Sequence, residues 1–288
     1  MLMVNDAIQT EENKQINQLN LEGIDDSFSV YLFKKWTPLL ILLAGAIAYS
    51  YYRFQQLGLW GSLLIAIYAI SFLEKRFDKR LYSAFAKANN FNFNENGVEI
   101  NPSGSIFNIG REIKFSDMVT GSYDQWPLLL YIYSYSIGYG KNKHTSTQTV
   151  MSIAFNCKLP SFMMQKPTSD SEIFKEFYDE IAKKFGGLQR VSLEGNFDKH
   201  FSVWINPGTQ DDVLSILTPD VMELLLGLDQ YEVELTKEGT LYIYSAKDIT
   251  KKQQLKDMYS VVQTIIPKIA RHVALQKNMA NANSITKV

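Results

Sequence analysis

An α+β domain attached to an N-terminal two-helix transmembrane hairpin is the fold class this sequence predicts, and three patterns predict it. Two uncharged apolar runs of 17 residues lie close together, Trp36 to Tyr52 and Leu57 to Leu73. Beyond them, period-2 alternation and 3–4 spacing of apolar residues occur in blocks rather than in regular succession, the pattern of an α+β fold. The chain has 288 residues, 46% of them apolar, which is enough to bury a substantial core.

Residues 1–33 carry a net charge of −5 and few large apolar side chains. They are expected to be a disordered acidic tail. Residues 34–74 are assigned to the hairpin. Each apolar run is about 25 Å long as a helix, at the short end of what spans a hydrocarbon core of about 30 Å. Their tandem arrangement, with only Arg53-Phe54-Gln55-Gln56 between them, favours two crossings. Trp36, Tyr51, Tyr52 and Trp60 stand near the ends of the runs, where amphipathic rings prefer the interface. Pro38 suits a first helical turn, and Ala44, Gly45, Gly61, Ser62 and Ala66 would let the two helices approach. Lys34, Lys35, Lys75, Arg76, Lys79 and Arg80 flank the pair and Arg53 alone lies within it, which places both termini in the cytoplasm. The expected location is the cell membrane, a bacterial inner membrane, as a multi-pass protein.

Residues 75–277 form the expected cytoplasmic domain. Phe77, Leu81 and Phe85 share one face of a helix leaving the membrane. Residues 91–158 read as strands broken by the turn signals Asn96-Gly97 and Pro102-Ser103-Gly104. Tyr131, Tyr133 and Tyr135 fall on one strand face, and the strand from Thr149 to Cys157 should pair with theirs. Ser169 and Glu172 make a capping box for a helix that Gly186-Gly187 ends. Phe201, Val203 and Ile205 alternate as a half-buried strand, and Thr218-Pro219-Asp220 starts another helix. Tyr231–Leu235 and Leu241–Tyr244 flank a Lys-Glu-Gly-Thr turn and form a second hairpin. Leu255, Met258, Val262, Ile265 and Ile269 mark a long final helix, with a kink expected at Pro267. Residues 278–288 are expected to be a disordered tail.

Recognisable chemistry is sparse. The net charge of −1 excludes nucleic acid as a partner drawn by bulk attraction. The single cysteine, Cys157, excludes an internal disulfide and a multi-cysteine zinc site. It is expected to be a buried structural thiol on a strand face with Met151, Ile153 and Phe155. His144, His200 and His272 show no metal-ligand spacing. Glu194, Asp198 and His200 form the densest titratable cluster and could act as acid and base. Gly138-Tyr139-Gly140-Lys141 lacks the spacing of a phosphate loop, and no Gly-x-Ser-x-Gly elbow occurs. No catalytic residue, metal ligand or cofactor is assigned.

Leu193-Glu194, Phe197, Phe201-Ser202-Val203, Leu217-Thr218-Pro219, Met222 and Leu225, with Lys158-Leu159-Pro160-Ser161-Phe162 upstream, carry a resemblance. Together with the apolar pair they make the chain, over about residues 35–270, similar to a bacterial membrane-protein family catalogued as a domain of unknown function. The resemblance implies an inner-membrane protein with a cytoplasmic domain and a LemA-type membrane protein as a partner; it carries over no catalytic residue. The expected function is a non-enzymatic interaction or scaffold module. Its expected partners are the lipid bilayer and another membrane or cytoplasmic protein, the latter docking on the face bearing Tyr131, Tyr133 and Tyr135. The alternative is a membrane-associated hydrolase.

Overall fold

The computed structural model of the chain describes residues 20, 21, 24, 28–108, 110–166, 188–193, 195–228, 230–245 and 247–285. Helix α1 (Phe28–Ala88) runs for 61 residues without a break. This corrects the hairpin. Arg53-Phe54-Gln55-Gln56 contains neither glycine nor proline, and Arg and Gln are good helix formers, so nothing there stops the backbone from continuing. Pro38 sits inside the helix rather than in its first turn. Among the described residues no helix is long and apolar enough to cross a membrane: each apolar run reaches only about 25 Å before polar or charged residues interrupt it. The transmembrane hairpin, the multi-pass membrane location and the cytoplasmic placement of both termini that depended on it are therefore not supported. The fold is instead built around one large antiparallel sheet.

α1 ends where its sequence allows. Asn90 adopts φ 56°, and Phe91 N–H donates to Ala86 C=O at 2.8 Å, closing the last turn. The Asn89 side chain then clasps the backbone of Asn20 on both sides, at 2.6 and 2.9 Å.

Nine strands follow among the described residues: β1 (Asn92–Asn94), β2 (Arg111–Tyr123), β3 (Trp126–Ile137), β4 (His144–Ala154), β5 (Phe162–Gln165), β6 (Gln189–Val191), β7 (Ser202–Ile205), β8 (Tyr231–Leu235) and β9 (Thr240–Ser245). They form one sheet in the order β1-β2-β3-β4-β9-β8-β5-β7-β6, and every neighbouring pair is antiparallel. The tyrosine-bearing strand β3 pairs with β4 along its length, Tyr131 opposite Val150. β8 and β9 form the second hairpin, with Val233 opposite Ile243.

The helices are α2 (Phe197–His200), α3 (Gln210–Ile216), α4 (Pro219–Gly227) and α5 (Lys252–Ile285). One sheet face, carrying Leu128, Leu130, Met151, Ile153, Val233 and Ile243, forms the main core with Leu81, Tyr82 and Phe85 of α1 and Val262, Ile265 and Ile269 of α5. Pro267 lies inside α5, and that helix continues to Ile285, into the stretch expected to be a disordered tail. The capping-box helix expected from Ser169 lies outside the described residues. Cys157 lies beyond the end of β4, past Asn156 at φ 53°, so it is half-buried against the main core rather than aligned on the strand face with Met151 and Ile153.

The opposite sheet face carries a second core. The segment between β1 and β2 makes a short 3-10 turn (Ser105–Asn108) and crosses the sheet as a strap. Phe107 of the strap packs edge-on against Tyr133, at a ring separation of 5.0 Å, and against Tyr242, at 5.4 Å. Tyr131, Tyr133, Tyr135, Val150, Tyr242 and Tyr244 are all buried there. The expected partner surface at Tyr131, Tyr133 and Tyr135 is thus corrected: at 0%, 0% and 3% exposure these rings are core. Alternation showed that they share a face, but not that a strap covers it.

Candidate functional site

The residues singled out for chemistry do not converge. Glu194 lies outside the described residues. Asp198 accepts from Ser192 Oγ–H and from Leu193 N–H at 2.8 Å, and these bonds, the serine's first, hold its carboxyl below the usual range. His200 meets Asn196 at 3.3 Å rather than Asp198. His272 contacts Ser215 at 2.5 Å between α3 and α5. Ser215 is exposed on the helix surface, with its hydroxyl also bonded to Asp212 C=O. The serine–histidine contact therefore lies on an exposed surface.

A carboxylate pair that was not singled out lies on β8. Glu232 and Glu234 alternate with the core residues Tyr231, Val233 and Leu235, so both face the strap side. Glu234 is 7% exposed. Ser105 N–H donates to both its oxygens, at 2.9 and 3.0 Å; Ser105 Oγ–H and Tyr244 O–H donate to Oε2 at 2.9 and 2.7 Å. Burial nevertheless pushes its carboxyl above the usual range. Burial likewise raises Glu232 to about 7, against the opposing pull of Lys166, whose N–H donates to it at 3.3 Å. Tyr-Glu-Val-Glu-Leu reads as a half-solvated strand; the signal that its polar side is covered was the matching tyrosine alternation on β3 and β9.

Gly104 lets the strap settle onto this site. A Cβ there would meet Tyr244 Oη at 2.5 Å and the Phe107 ring at 2.9 Å. Ser103 N–H then donates to Tyr242 Oη at 3.1 Å. Glu234, Tyr242 and Tyr244 therefore hold the strap, and the donors around Glu234 come from the chain itself. No group of histidine, cysteine, aspartate and glutamate able to hold a metal occurs among the described residues.

An exposed apolar band runs along α1. Leu39, Ile41, Leu42, Tyr49, Tyr51 and Tyr52 stand out from the first half of α1, and Trp60, Leu63, Leu64, Ile65, Ile67, Tyr68, Ile70 and Phe72 from the second. At about 100° per residue, positions 63–70 alone sweep an arc of roughly 220°. The complementary stripe of Ser62, Ala66, Ala69 and Leu73 is buried or half-buried. A helix apolar around most of its circumference is one that is buried in its working state.

No protein-family profile and no curated protein matches the chain. A solved structure described as "crystal structure of the mycobacterial trehalose monomycolate transport factor A, TtfA" is similar at 10% identity and a TM-score of 0.46, over 67% of this chain and 95% of that one. That likeness is too slight to assign a fold or an activity.

Proposed function

We propose that this chain is a non-enzymatic interaction module: the strapped sheet is a scaffold, and the apolar part of α1 is the element that docks into a second protein. The observation that carries this reading is the band of exposed large apolar side chains from Leu39 to Phe72. Patches of this extent on a folded chain mark interaction sites. The partner presents helices that pack along α1. A straight helix from Trp36 to Leu73 measures about 57 Å, nearly twice a hydrocarbon core, and Arg53 sits exposed at its middle, where a charge in lipid is costly. Groups of helices can enclose that length and leave a gap for the guanidinium.

The test is site-specific photocrosslinking from Ile41 and Ile65 of the full-length chain in the cells that produce it. The expected product is one defined adduct with a second, helical protein, lost when Leu42, Leu64 and Ile67 are changed together to Ser. Adducts with its own copies alone would overturn the choice of partner. Flotation of the purified chain with phosphatidylethanolamine–phosphatidylglycerol vesicles, abolished by the same triple change, would overturn it in favour of lipid.

A further inference from the structure

A cleft of about 270 Å³ opens beside Glu234, where the strap, β5 and the β8–β9 turn meet. That is the space of about nine waters. Ser103, Ser161 and Thr236 bring hydroxyls to it, and Met163 and Leu188 bring apolar surface. A partly open cleft with a few convergent polar groups and apolar walls suits a small ligand.

The Glu234 carboxylate is the unusual component. A carboxylate offers about four acceptor positions. Oε2 is occupied by three donors, whereas Oε1 receives only the N–H of Ser105 that it shares with Oε2. No cation among the described residues stands against it. Lys237 is on the cleft rim but is paired with Glu238 at 3.9 Å, and both of these side chains are exposed. A carboxylate buried this far is ordinarily matched by a positive charge.

We infer that the cleft binds a small organic ammonium ion, a primary amine with a short alkyl chain. Its nitrogen donates to Glu234 Oε1, and its alkyl part lies against Met163 and Leu188. The hydroxyl of Ser161 already accepts from Asn206 Nδ2–H at 2.6 Å, so its own proton is free for a polar substituent on the ligand. The site is separate from α1 and does not depend on the partner proposed above. The titratable groups facing Glu234 are Tyr242 and Tyr244 from β9, Glu238 and Lys237 from the turn, and Glu232 on its own strand; Ser105 and Met163 complete its surroundings. The cation among them, Lys237, is exposed and paired with Glu238, and burial holds the Glu234 carboxyl above its ordinary range. A bound ammonium ion favours the ionised form of the carboxyl.

The experiment compares pentylamine with 1-pentanol by calorimetry on the full-length chain. The amine is expected to bind at least about tenfold more tightly than the alcohol, because a charge-assisted hydrogen bond replaces a neutral one. Glu234→Gln should remove the preference for the amine while leaving any binding of the alcohol. Should that variant not fold, Ser161→Phe, which crowds the cleft without touching the Glu234 bonds, should abolish amine binding while the chain still unfolds cooperatively, its melting temperature lowered only by the lost Asn206 bond. Equal binding of amine and alcohol, wild-type affinity in a folded variant, or no saturable binding of either compound overturns the inference.

Discussion

Glu232 and Glu234 show how two similar residues are set apart by what donates to them. Glu234 is held by three side-chain and backbone donors that also fix the strap, so removing one is costly. Tyr244→Phe deletes the 2.7 Å bond to Oε2 and should destabilise the fold by about 1–3 kcal/mol, read from urea denaturation midpoints. Glu232 is half-buried and has one backbone donor. Its folded-state carboxyl, at about 7, lies above the ordinary value of 4.5, so the folded chain holds a proton that the unfolded chain gives up. Stability contributed in this way is complete at low pH, falls as pH rises from about 4.5, and is gone above about 7. Glu232→Gln should flatten that part of the stability profile between pH 5 and pH 8. A profile identical to that of the parent chain would show that another group titrates there. The turn beside these residues makes a different demand. Gly239 sits at φ 83°, and a Cβ there would lie 2.0 Å from the Cys157 carbonyl oxygen. Gly239→Ala should therefore cost at least about 2 kcal/mol, from left-handed strain together with a displaced backbone.

At the scale of elements, sequence was informative wherever a local pattern determines the outcome. Thr218-Pro219 starts α4, the Lys-Glu-Gly-Thr turn joins β8 to β9, and the 3–4 stripe of α5 runs through Pro267 onto the core. It was uninformative wherever the outcome depends on what a face meets. The tyrosines of β3 share a face in either reading, and only the strap, distant in sequence from its contacts on β8 and β9, makes them core. Tyr133→Ser should accordingly destabilise the fold by about 3–5 kcal/mol, as expected for emptying a buried aromatic site. A variant that keeps its stability would return that face to solvent. The site was illegible for the same reason: Glu234 and Ser105 are 129 positions apart, and no spacing rule links them. α1 shows the limit from the other side. Apolar runs specify helices, but whether two runs bend into a hairpin depends on the four residues between them. Spin labels at Ala44 and Ala66, with Cys157 changed to Ser, should stand about 33 Å apart along a continuous helix. A separation near 10 Å, that of packed neighbouring helices, would restore the hairpin.

For the whole molecule, α1 divides into a part that builds the fold and a part that the fold merely carries. Leu81, Tyr82, Phe85 and Ala86 lie on one face of its last turns and belong to the main core. The Tyr82 hydroxyl contacts Thr149 Oγ1 at 2.6 Å, and the same oxygen accepts Ile249 N–H at 2.8 Å. One buried hydroxyl thereby joins α1, β4 and the segment leading into α5. Between Leu39 and Phe72 no described residue belongs to either core cluster; Ala66, buried there, and Leu73 just beyond stand outside both. A chain starting at Lys75 keeps the packed turns and loses the apolar band. It should be monomeric and unfold in a single transition, because every strand remains and, of the described core, only Ile24, with Leu21 packed beside it, is lost. It should also lose any tendency of the longer chain to associate, since hydrophobic surface of that extent drives association when left uncovered. In the shortened chain Tyr82→Phe should lower stability by about 1–2 kcal/mol, as the loss of one buried hydrogen bond does, showing that the junction still holds. A shortened chain that aggregates, or that melts without a cooperative transition, would mean that the part of α1 before Lys75 is needed by the fold, and the division of α1 into scaffold and docking element would have to be given up.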